Sequence, residues 1–145
     1  MAKPNKNKRE RLIIKFKNTC QICGNKFDSG ELFLEHMKPK CFGGTNRKEN
    51  LSIACRECNS KKHKYNSFNY PLSSIMKHKD FLIKLCKYEN KNNIFDKKGA
   101  IENIEKFIDE LNNQVLMLSK IKKEIEEIEE TSDFIKIKGD EICDL

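Results

Sequence analysis

CQICGNKFDSGELFLEHMKPKCFGGTNRKENLSIACREC, Cys20 to Cys58, decides the fold, because it begins and ends on a Cys-x-x-Cys pair. Zn²⁺ takes four ligands in a tetrahedron, and a Cys-x-x-Cys turn can present two thiolates to one ion. Cys20 and Cys23 form the first pair, Cys55 and Cys58 the second, with 31 residues between them. Together they complete a four-thiolate zinc site that ties the two ends of the intervening segment. All four positions would be held by sulfur, so no place stays open for water and the metal is expected to be structural. A redox role for either pair lacks the surrounding pattern it needs. Cys41, Cys86 and Cys143 are scattered, and the odd total of seven argues against a disulfide framework. Thiols of this kind belong to a reducing compartment, which gives a cytoplasmic expectation.

Inside the segment, Thr19–Phe27 reads as the metal knuckle. Glu31–Met37, ELFLEHM, has the alternation of a strand, and Pro39 with Gly43-Gly44 marks a loop. Leu51–Ala54 is a second short strand, and Cys55 to Lys64 is expected to turn into a helix. Upstream, Arg9–Lys17 should be a short helix with Leu12, Ile13 and Phe16 on one side, behind a basic arm. Downstream of Tyr70-Pro71 the pattern becomes helical. Leu72 to Tyr88 reads as one helix, ENKNN at Glu89–Asn93 as a linker, and Asp96 to Glu130 as a long helix.

In that long helix Ile101, Ile104, Ile108, Leu111, Val115 and Leu118 alternate steps of three and four, as in a coiled-coil seam. The seam shifts register at Ile121, Ile125 and Ile128. An amphipathic helix folded onto its own domain, a helix hairpin and an intermolecular coil are all compatible with this spacing. Residues 131–145 read as a short strand or a disordered end. The predicted fold is therefore α+β: a small zinc-stapled module of two strands and a helix, followed by a mainly helical region with a coiled-coil-like helix. The expected divisions are an arm and helix at 1–18, the module at 19–68, a helix and linker at 69–95 and an acidic tail at 96–145.

A chain of 145 residues that is 35% charged and lacks Trp has room for only a small core. Below about 70–80 residues such a core needs a staple, which the zinc supplies. No apolar run approaches the roughly 18 residues of a membrane span. The charge is split. Residues 1–99 carry 23 Lys/Arg against 9 Asp/Glu, whereas residues 100–145 carry 6 against 13. A basic body suits a polyanion such as nucleic acid, and an acidic tail would be repelled by it.

Three pieces of the module stand at a characteristic spacing: LEHMKPKCFGG (Leu34–Gly44), Asn50-Leu51 and CRECNSKK (Cys55–Lys62). In these residues the sequence resembles the HNH (ββα-metal) endonuclease family. The resemblance implies a metal-dependent phosphodiesterase acting on nucleic acid, with DNA as the expected substrate. It makes His36 the general base, Asn50 the residue that fixes the loop and imidazole, and Glu35 and Asn59 the oxygen ligands of one catalytic Mg²⁺ or Mn²⁺. The chemistry suits those residue types. Imidazole titrates near neutral pH and can take a proton from water, while carboxylate and amide oxygens suit a hard divalent ion. Glu35 stands where the family more often has Asp, and Asn59 where it often ends on His. Lys38, Lys40, Arg47, Lys48, Lys61, Lys62, His63 and Lys64 surround these positions and are expected to contact phosphates.

The string is also similar to small HNH nucleases of bacterial anti-phage systems, which act beside an ATPase. That likeness implies a partner protein, and the apolar seam and acidic charge of the C-terminal helix point to docking of such a partner or of a second copy of the chain. A zinc-ribbon module or an adaptor without catalysis is the alternative reading.

Overall fold

The computed structural model describes residues 7–129. The expectations for the basic arm before residue 7 and for a strand or disordered end at 131–145 fall outside them. Helix α1, Lys8–Lys15, starts on Asn7, whose side chain accepts from the Arg9 backbone N–H and so satisfies a free helix donor. It buries Leu12 and Ile13 and ends as Lys17 and Asn18 take left-handed backbone angles. Arg9 Nε donates to the Leu32 carbonyl at 2.7 Å, which pins α1 to the start of the sheet.

The sheet has two antiparallel strands, β1 (Leu32–His36) and β2 (Leu51–Cys55), paired Leu32 with Cys55, Leu34 with Ile53 and His36 with Leu51. Two isolated strands are barely stable in water, so they need cover. Every residue of β2 is buried. Leu12, Ile13, Ile22, Leu32, Leu51 and Ile53 belong to one core with Tyr70, Phe81, Leu85 and Tyr88. The face bearing Glu35 and Ser52 is covered by α2 (Arg56–Lys62) and by α4 (Lys79–Lys91), through Lys62 and Tyr88. The expected strand, loop, strand and helix between the cysteine pairs are all present.

The helix expected over 72–88 is two helices, α3 (Leu72–Lys77) and α4. His78 leaves the helical region (φ −132°, ψ 44°); its N–H closes α3 on Ser74 and its carbonyl accepts from Phe81 and Leu82 to open α4. The apolar spacing runs on across His78, so periodicity could not show the break. Packing demands it, because Phe81, Leu82 and Leu85 must turn into the core while Met76 stays exposed.

The linker expected from Glu89 is also displaced, since α4 continues to Lys91. Glu89 is fully buried, and its carboxylate accepts from Asn66 Nδ2, the Ser67 N–H and the Ser67 hydroxyl. Three donors make up for the water the carboxylate loses, and they hold the turn at Ser67–Asn69 against α4.

Helix α5 spans Lys97–Glu126. The chain divides after Lys106 into two compact units, so the first turns of α5 belong with the body. There Ala100 is buried, Ile104 packs against the core, and Asn103 Nδ2 donates to the Tyr70 carbonyl at 3.1 Å. From Ile108 to Glu129 every residue is exposed. Among the described residues no helix is long and apolar enough to cross a membrane.

Candidate functional site

The four cysteines meet. Cys20 and Cys23 lie on a knuckle closed by the Thr19–Lys26 bridge and by Gly24, whose φ of +77° lets the chain reverse. The Gln21 N–H donates to the Ile53 carbonyl at 3.0 Å, which seats the knuckle beside β2. Cys55 ends β2 and also caps α2, its sulfur accepting the Cys58 N–H at 3.5 Å. All four sulfurs lie within 4.8 Å of one another, with Cys20, Cys55 and Cys58 buried.

Their ionisation is coupled. The Cys58 thiol, donating to Cys20, holds Cys20 well below the ordinary thiol range, helped by backbone N–H groups and opposed by burial. The same bond pushes Cys58 up, and burial raises Cys23. Four neighbouring sulfurs cannot all carry charge unless a cation sits among them. The donor set and spacing fit one tetrahedral ion, and four thiolates favour zinc.

His36 ends β1, and the loop to β2 folds back over it. Met37 donates to the Asn50 carbonyl at 3.0 Å, so the loop closes at its root. The Asn50 side chain stitches it further: Oδ1 accepts from Lys38 N–H at 2.8 Å, and Nδ2 donates to the Lys38 and Thr45 carbonyls, each at 2.9 Å. The two glycines are needed by this packing. Gly43 has a φ of +83°, and a Cβ on Gly44 would stand 1.8 Å from the Lys38 carbonyl oxygen. At the loop's far side Asn46 Oδ1 lies 2.9 Å from His36 Nε2, and the Asn46 carbonyl accepts from Lys8 Nζ at 2.9 Å. Asn46 has no motif signature. Its only sequence signal is its position in a polar loop after Gly-Gly.

Glu35 and His36 are not brought to one face. Adjacent strand residues point to opposite sides, and no bulge reverses that in β1. Glu35 is 3% exposed, with one carboxylate oxygen on the Lys62 ammonium and the other accepting from Tyr88 Oη at 2.6 Å. Lys62 is 1% exposed and also donates to the His36 carbonyl at 2.8 Å. Burial, and then the Glu35 charge, raise the Tyr88 phenol, which therefore stays a donor at neutral pH.

Two expectations meet this arrangement. Glu35 is engaged as a core acceptor, so it does not fit an oxygen ligand of an exposed divalent ion. Lys62, expected on a phosphate, has its charge consumed by Glu35. Asn59 sits half-buried one turn before Lys62, on the same side of α2, and by itself does not make a metal site.

Breaking the buried pair has a predictable cost. Lys62→Met leaves Glu35 charged in the core and should destabilise the body by about 3–5 kcal/mol. Glu35→Leu added to Lys62→Met should recover much of that loss, read from urea unfolding midpoints. An unchanged midpoint for Lys62→Met would place the ammonium outside the core.

The remaining cations divide by exposure. Lys38, Lys40, Arg47 and Lys48 are exposed on the loop around His36, and His63 and Lys64 are exposed after α2. Lys61 is half-buried and pairs with Glu57 one turn away.

A family model described as HNH endonuclease matches residues 20–65, from the first zinc-site cysteine to the turn after α2. No curated protein matches the chain. Two strands, a helix, a four-cysteine staple and a histidine under an asparagine-stitched loop all fall within that match. Residues 20–65 are thus similar to the HNH endonuclease family.

Proposed function

We propose that the module cuts phosphodiester bonds in nucleic acid, with DNA as substrate and His36 as the general base. One observation carries this reading: the His36 ring is held by Asn46 at the edge of a loop that exposes Lys38, Lys40, Arg47 and Lys48. When Nε2 donates its proton to Asn46 Oδ1, Nδ1 keeps a lone pair and can accept a proton from an attacking water. Asn50 acts on the loop and not on the reacting atoms. The loop cations would hold backbone phosphates without reading bases, so little sequence preference is expected.

The family implies a divalent ion. With Glu35 engaged in the core, the chain's own contribution to cleavage rests on His36, Asn46 and the loop cations. The test is cleavage of supercoiled plasmid and of single-stranded DNA by the purified chain, with Mg²⁺, with Mn²⁺ and with EDTA. Nicked and linear plasmid in the metal arms, absent with EDTA, is the expected result. Intact plasmid in every arm, with DNA still bound, would favour the zinc-ribbon binding module.

A further inference from the structure

From Ile108 onward α5 buries nothing of its own, although it carries a row of large apolar side chains; Val115 is 62% and Leu118 65% exposed. An exposed row of that length marks a contact surface. Its spacing says what it contacts. Ile101, Ile104, Ile108 and Leu111 step three, four and three, and so do Leu118, Ile121, Ile125 and Ile128. A strict heptad continuing from Leu118 would next place an apolar residue at 122, where Lys122 stands. A parallel, in-register pair would have to absorb that slip. Read from the other end, these eight positions repeat about a point between Gln114 and Val115, with Val115 itself coming level with Gln114 of the copy. Turned end over end, Leu111 comes level with Leu118, Ile108 with Ile121, Ile104 with Ile125 and Ile101 with Ile128.

The charges obey the same symmetry. Residues 111–118, which would meet their own copies around that point, contain no charged side chain. Residues 105–110 carry Glu105, Asp109 and Glu110 against Lys106, an excess of two negative charges. Residues 119–124, which come level with them, carry Lys120, Lys122 and Lys123 against Glu124, an excess of two positive charges. In a parallel in-register pair each of these blocks would face itself and repel.

We propose that α5 pairs with α5 of a second copy of this chain, antiparallel, about a two-fold axis between Gln114 and Val115. In such a contact each pairing occurs twice, so a modest interaction is doubled. The surface near Ile104 and Ile101 is prepared for the partner's last apolar residues. These two side chains, with Leu82, Ile83, Phe95 and Ala100, line an apolar cavity of about 390 Å³. The partner's Ile125, on the last turn of its α5, arrives at the level of Ile104.

The test is the mass of the full chain by sedimentation equilibrium over a range of concentrations, with far-ultraviolet circular dichroism of each variant. The parental protein should show twice the 17.0 kDa chain mass. Lys120→Glu, Lys122→Glu and Lys123→Glu together should raise the dissociation constant at least about tenfold, since the block that comes level with the acidic residues 105–110 turns from net positive to net negative on both sides of the axis. Adding Glu105→Lys, Asp109→Lys and Glu110→Lys should restore the parental constant, although it does not restore the helix's own Lys122–Glu126 and Lys123–Glu127 pairs. A monomer mass at every concentration would overturn the proposal. So would a dimer that the triple variant leaves unchanged, or one that it weakens and the three added lysines fail to restore, which is the behaviour of a parallel pair.

Discussion

Cys55→Ser is expected to lose zinc and to unfold the body. A structural zinc contributes roughly 10–16 kcal/mol at neutral pH, as much as the whole net stability of an ordinary domain. Losing even a fraction of it leaves a two-stranded sheet and short helices below the folding threshold. The substitution isolates the metal well. Cys55 also caps α2, and a serine hydroxyl can accept the Cys58 N–H as the sulfur does, so the cap survives while the ligand is lost. The side chain is nearly the same size, so no large cavity is made. The readings are zinc per chain by elemental analysis and helicity by circular dichroism, both expected to fall steeply. Chelation of the parental protein should reproduce the effect. One zinc per chain and an unchanged melting temperature in Cys55→Ser would show that the cluster is not the staple.

His36→Ala should lower the rate of DNA cleavage by about 10²–10⁴-fold, the span attributable to a positioned general base. It should do so without loss of zinc or fold. His36 is only half-buried, and its ring contacts Asn46 in an exposed loop, not the core beneath β1. DNA affinity should change little, since phosphate attraction is proposed for the loop lysines and Arg47. Asn46→Ala should slow cleavage less, because it frees the ring without removing it. The assignment fails if His36→Ala cuts at the parental rate, or if its loss of activity comes with a matching loss of zinc and melting temperature.

The cysteine spacing, the two strands, the loop and the start of α2 were legible because each is a local signal. A Cys-x-x-Cys turn can be read from four residues, and alternation or helical spacing from ten. The long apolar row of α5 was legible for the same reason, including its change of step at Ile121.

Four features were decided only by the tertiary structure. Glu35 reads as a ligand beside His36, yet strand geometry turns it to the other face. There Lys62 and Tyr88, the latter 53 residues away in sequence, supply its partners. Glu89 reads as the first residue of a polar linker, yet Asn66 and Ser67 arrive from another turn and make it a core acceptor. His78 breaks a helix whose periodicity is continuous, because the core behind Phe81 lies in a different direction. Asn46 reaches His36 only when the loop has closed. A buried polar group is settled by whichever distant donors fold against it, since the cost of losing water is met there and nowhere along the local chain.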